Sequence, residues 1–185
     1  MSARLLGTRL LAVLLLLALT ACGGGGGGGG GGPTAPPPPP QPAIVFTGQG
    51  VSSPNSIGLA TGAGSSATTL FLEVRATSVT DLYGVAFDLR YPNTVLQFVR
   101  ATPGPLIEGG SAQAAVVGTG NLVVGATRLG DVPGITGSGV LMTLEFTALV
   151  AGEGTFSFAR NSALDPDART LPGVTWSAGT VRVIR

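Results

Sequence analysis

"LFLEVRATSVTDLYGVAFDLRYPNTVLQFVRATPGPLI", residues 70–107, alternates apolar and polar side chains over most of its length. A period of two marks an extended chain with one buried face, because successive side chains of a strand point to opposite sides. Leu70, Leu72, Val74 and Ala76 fall on one face, and Phe71, Glu73 and Arg75 on the other. Beyond Tyr83, the residues Val85, Phe87, Leu89 and Tyr91 alternate with Gly84, Ala86, Asp88 and Arg90. Pro92 and Asn93 are turn residues, and Leu96 and Phe98 then open a third run.

The same period recurs downstream. "AAVVGTGNLVVGATRL", residues 114–129, reads as two strands folded about Thr119-Gly120-Asn121. Met142, Leu144, Phe146 and Ala148 share one side of a further run, Phe156 and Phe158 of the next, and Val181 and Val183 of the last. No stretch carries a helical period. Eight or nine short strands separated by Gly, Pro, Asn and Asp clusters predict an all-β fold, an antiparallel β-sandwich. Phe46 in "AIVFTG" suggests a short strand pairing with the end of the chain. The stretch from Gly48 to Ala67 is small and polar, and reads either as a first strand with loops or as linker.

Upstream of this domain, residues 1–21 have a basic start at Arg4 and Arg9 and an unbroken apolar run from Leu10 to Leu19. That is the layout of a secretory signal peptide. About 12 apolar residues lie before Cys22, short of the ~20 needed to cross a bilayer. Leu19-Thr20-Ala21-Cys22 resembles the lipobox of bacterial lipoproteins, which implies lipidation of Cys22 and a membrane held through that lipid anchor. The alternative is an ordinary secreted protein with a lone cysteine. Gly23 in place of an aspartate implies, by the same resemblance, the outer membrane or cell surface. Residues 22–42 then form a linker. Ten glycines, Gly23 to Gly32, have no side chains to bury, and as a coil span ~17 Å. Pro36 to Pro40 add about 3 Å each as a stiff rod. Residues 43–185 remain as one domain, large enough to bury roughly two-thirds of its unfolded surface.

Composition excludes most chemistry. The chain has no histidine and no lysine, and its one cysteine is Cys22. With Cys22 taken up by the membrane anchor, a Ser-His-Asp triad, a Ser-Lys dyad, a Schiff-base lysine, a cysteine nucleophile and a His/Cys zinc site are excluded. Of the ten arginines, eight follow Arg9, against nine acids, and no basic stripe suggests nucleic acid. Asn161, Asp165 and Asp167 could ligate calcium, but Asp165-Pro166-Asp167 is also a plain turn signal. A glycosidase needs two carboxylates about 5–10 Å apart across a cleft. Asp165 and Asp167 are too close in sequence to face one another that way, so a non-enzyme is expected.

Taken in order, "LFLEVRATSVTDLYGVAFDLRYPNTVLQFVRATPGPLI", "GVLMTLEFTALVAGEGTFSF" and "GTVRV" resemble a cohesin domain, over about Ile57 to Val183. The resemblance implies a jelly-roll sandwich of about nine strands, related to carbohydrate-binding modules and without catalysis. It implies a dockerin-like protein partner from polysaccharide-degrading systems, bound on one flat sheet face, with any calcium carried by the partner and no cofactor here. The family's Tyr-Asp-Pro stands here as Tyr91-Pro92, without the aspartate. Counting back, the family's polar recognition positions fall on Gly84 and Ala86, which offer flatness but no side-chain hydrogen bonds. Asp88 and Arg90 share that face and are carried as contacts, with Thr119, Asn121 and Arg128 as weaker ones; a solvated sheet face is the plainer reading. A polysaccharide ligand would need exposed aromatics to stack on, and Phe71, Tyr83 and Trp176 are the candidates. A lone tryptophan is also a common core residue. A third reading is a structural lipoprotein of a surface assembly.

Overall fold

A computed structural model describes residues 42–50 and 53–185. The signal peptide, Cys22 and nearly all of the linker lie outside the described residues.

Among the described residues eleven strands form two sheets, rather than the nine or so expected. The run that opens the sequence argument splits into β3 (Thr69–Leu82), β4 (Gly84–Arg90) and β5 (Leu96–Pro103). Only Tyr83 separates β3 from β4, yet they belong to different sheets. The chain thus crosses the sandwich at one residue, which is why the alternation reads as almost continuous.

The five-stranded sheet runs β10 (Thr175–Ser177), β2 (Ser56–Thr61), β3, β8 (Ile135–Ala148), β5. Antiparallel register sets Leu70 opposite Phe146, Leu72 opposite Leu144 and Val74 opposite Met142, all fully buried. Each such side chain contributes about 1.5–3 kcal/mol through removal from water. A register shift follows Val74, leaving Leu141 as an extra residue of β8. This bulge buries both Leu141 and Met142, which strict alternation could not do. β10 pairs parallel to β2, so the sheet is mixed rather than purely antiparallel. β2 places the small, polar stretch that the sequence left open: Ile57 and Leu59 of "SIGLAT" are core residues.

The six-stranded sheet runs β1 (Ala43–Gly48), β11 (Gly179–Ile184), β9 (Gly152–Leu164), β4, β7 (Asn121–Thr127), β6 (Ser111–Val116). As expected from Phe46, β1 pairs with the chain's end, Ala43 opposite Ile184 through Gly48 opposite Gly179. The β6–β7 hairpin turns through Val117 to Gly120, with Gly118 and Gly120 both at positive φ. Pro105–Ile107 makes one 3-10 turn after β5.

Aromatics close the two layers. Phe146 meets Tyr91 at 5.3 Å, Phe156 at 5.5 Å and Phe98 at 5.6 Å between ring centres. A second group joins Phe87, Phe158 and Trp176, with Trp176 edge-on to Phe158 at 5.1 Å. Edge contacts of this kind add about 0.5–1.5 kcal/mol beyond area burial. Trp176 lies opposite the core residue Ile57 and faces the interior.

Candidate functional site

The outer face of β9, β4, β7 and β6 is built from small side chains in transverse rows. Gly84 lies beside Thr127, which lies beside Ser111. The next row is Ser162, Ala86, Gly125 and Gln113. Then come Ala159, Asp88, Val123 and Ala115, and last Ser157, Arg90 and Asn121. Gly84, Ala86, Asp88 and Arg90 therefore do share one face, as the alternation predicts.

Their roles differ from expectation in one case. Asp88 is only 7% exposed, so it is not a solvent-facing contact. The cause lies in β9. Between the pairs Ala86–Ser162 and Asp88–Ala159 the register shifts, leaving Arg160 and Asn161 opposite Phe87 alone. Arg160 sits at φ 46°, the left-handed region that non-glycine residues seldom occupy. This bulge turns the arginine across the sheet, where its guanidinium forks onto Asp88 Oδ2, Nε donating at 2.8 Å. Arg160 remains three-quarters exposed, so it, and not Asp88, presents polar groups outward. The bulge leaves a trace in the sequence: Phe156, Phe158 and Ala163 are all inward-facing, and an odd spacing from 158 to 163 demands one extra residue.

At one end of this face lies an apolar groove of about 360 Å³, floored by Gly84 and Gly125 and walled by Tyr83, Thr127, Leu164 and Pro166. A Cβ on Gly125 would meet nothing closer than 3.9 Å, whereas one on Gly84 would lie 3.1 Å from the Ala126 carbonyl oxygen. Tyr83 holds the groove's rim by donating its hydroxyl to the Gly130 carbonyl at 2.6 Å. Gly125, Val123, Gln113 and Arg160 complete the face but were not singled out from sequence, since their roles depend on cross-strand neighbours.

At the other end Arg90 is exposed, and its side chain makes no hydrogen bond or ion pair among the described residues. Beside it, Asn121 Oδ1 is buried and lacks a donor. Thr119 lines the same end, while Arg128 is drawn away to the Pro133 carbonyl.

The other candidate sets do not assemble. Phe71 lies on the outside of the five-stranded sheet, Tyr83 at the groove and Trp176 inside the sandwich, so the three aromatics form no common platform. The proposed calcium ligands also part. Asp165 Oδ1 accepts the Arg169 backbone N–H at 2.8 Å, and Asp167 pairs with the Arg169 guanidinium. Asn161 lies four residues up the strand from Asp165, about 13 Å away at strand rise. No cluster of three His, Cys, Asp or Glu residues exists among the described residues.

Solved structures share the fold. One is a non-cellulosomal cohesin from the hyperthermophilic archaeon Archaeoglobus fulgidus, at 19% identity and TM-score 0.54, covering 77% of this chain and 92% of its own. A chain of the CaDoc0917–CaCohA2 complex matches at 19% identity and TM-score 0.56, covering 70% and 97%. A type II cohesin domain from the cellulosome of Acetivibrio cellulolyticus matches at 14% identity and TM-score 0.51, covering 76% and 95%. No curated protein matches the chain. The family model of the cohesin domain matches residues 56–183, well over half of the sequence, and the chain belongs to the cohesin domain family.

Proposed function

We propose that this chain is a cell-surface lipoprotein whose cohesin domain captures a dockerin-type module, and through it a protein of polysaccharide breakdown. Cohesin domains are non-catalytic binding modules, and the residue set agrees: with no histidine, lysine or second cysteine, the common nucleophile–base pairs cannot be assembled. The observation that carries the reading is the flat face itself. Ala86, Gly125 and Ala115 leave a strip where another backbone can approach closely, bordered by a groove at one end and arginines at the other. Tethering suits capture: the lipobox-like Leu19-Thr20-Ala21-Cys22 and the glycine and proline run after it support a domain held off a membrane.

The test is affinity capture on the full chain, passing secreted and surface proteins over it with calcium and then with a chelator. Retention of proteins carrying paired calcium-loop modules, and their release by chelator, supports the reading. No retention from such mixtures, with the domain folded, overturns it. Ala86→Arg is the appropriate blocking variant, because Ala86 is exposed whereas a side chain on Gly84 would also press on the Ala126 backbone.

A further inference from the structure

A sheet edge offers unpaired N–H and C=O groups to any strand that can reach it, and folded proteins guard such edges with charge, proline, bulges or cover. Three of the four edges of the described sheets are guarded. β10 is only three residues long. β5 carries Arg100 and Pro103 and a register shift after Phe98. β1 is crowded by β2, since a Cβ on Gly48 would lie 2.9 Å from the Leu59 carbonyl oxygen. β6 has none of these devices. No charge and no proline occur from Gly109 to Thr127, and its pairing with β7 runs without a shift. The Val117 N–H donates to the Asn121 carbonyl at 2.9 Å, which sets the alternation of that ladder. Ser111, Gln113 and Ala115 therefore exchange their bonds with β7. Ala112, Ala114 and Val116 turn N–H and C=O outward, with no backbone partner among the described residues.

We propose that β6 pairs antiparallel with β6 of a second copy of this chain, about a two-fold axis at Ala114. The unpaired groups select a strand as the occupant, because a strand repeats donors and acceptors at every second residue along one line. The symmetry of the segment selects a second copy. Centred on Ala114, Ala112 meets Val116 of the second copy, Ala114 meets its counterpart, and Val116 meets Ala112. Every outward group is then satisfied, with about six hydrogen bonds. Any other register carries at least one of these residues past the end of the partner strand. The side chains agree. Val116 and Val117 stand on opposite faces, each 54% exposed, and the register sets them across from Ala112 and Ser111, which leave room for a valine. Gln113 lies across from Ala115. The axis of such a pair stands perpendicular to the sheet. Two six-stranded sheets thereby become one of twelve strands, with both outer faces on the same side.

Sedimentation of the full chain over a series of concentrations tests this. A single ladder buries less than the ~1,200 Å² of a standard interface, so the expected dimer is weak and fills only towards ~1 mM. Ala114→Pro deletes the N–H on the axis, which β7 does not use, and proline is tolerated on an edge strand. It is expected to weaken the dimer at least about tenfold, with the domain still folded by circular dichroism. Two double variants test the register on the exposed face and leave the backbone alone. Gln113→Lys with Ala115→Lys sets like charges across from each other and weakens the dimer about tenfold. Gln113→Lys with Ala115→Glu sets opposite charges together and holds or tightens it. Should Ala114→Pro fail to fold, this pair of variants decides alone. A chain that stays monomeric up to ~1 mM overturns the proposal. So does a dimer that Ala114→Pro leaves intact, or one that the two double variants affect equally.

Discussion

The two outer faces of the sandwich are made of the same strands-and-turns grammar yet carry opposite surfaces. On the five-stranded sheet, Glu73 pairs with Arg75 at 2.6 Å and Glu145 with Arg100 at 2.7 Å, among the threonines Thr69, Thr143 and Thr147. Those four charges are answered by neighbours. On the six-stranded sheet the central outward positions shrink to Ala86, Gly125 and Ala115, and Arg90 is left unanswered. A surface with its charges paired is finished by itself. One with small residues, an open groove and an unpaired cation leaves room for a partner.

The harshest way to break the comparison is to remove what both faces share. Phe146→Ala, which deletes the hub of four aromatic rings, is expected to destabilise the domain by about 3–5 kcal/mol and to dull both faces together. Urea unfolding of the full chain measures it. A sharper cut sets the faces against each other. Ala86→Arg should weaken capture about a hundredfold with an unchanged melting temperature, while Gln97→Arg, outward on the five-stranded sheet, leaves capture intact. Equal losses from both would mean that the binding face has been misplaced.

Smaller effects follow. Arg160→Ala strands the Asp88 carboxylate, buried and without its guanidinium, and should lower stability by about 1–2 kcal/mol in thermal unfolding. On the other face, Arg100→Ala removes an exposed ion pair and should lower stability by under about 1 kcal/mol. Repeating both unfolding experiments in high salt separates them further, since the exposed pair is screened and the buried carboxylate is not.

The core was legible because burial and period coincide: Leu70, Leu72, Val74 and Ala76 face inward as the alternation demands, as do Met142, Leu144, Phe146 and Ala148. What escaped the pattern is where the pattern breaks. Leu141 is buried through a bulge, and Arg160 reaches Asp88 through another, each set by the pairing of two strands distant in sequence. β1 could be inferred because Phe46 stood out against its neighbours, whereas β10 hid in three residues among turns. The site followed the same rule. Gly84, Ala86 and Arg90 were readable from one strand, but the groove needs Gly125 and Leu164 from two others, and only the register brings them together.

β1 joins the molecule through one antiparallel ladder, from Ala43 opposite Ile184 to Gly48 opposite Gly179. Ala43 lies at the end of the sheet where β9 begins, and the groove at the end where β9 finishes with Leu164. A load applied near the groove and resisted by the chain upstream of Ala43 therefore pulls along β1, lengthwise. Ladder hydrogen bonds run across the strands, so such a pull strains them in parallel, as shear, instead of opening them one after another like a zipper. Phe46, wedged edge-on against Phe156 at 5.8 Å, adds a ratchet tooth to that joint. Held from its upstream end, the domain would carry such a load through β1, the strand that looks most dispensable to the core.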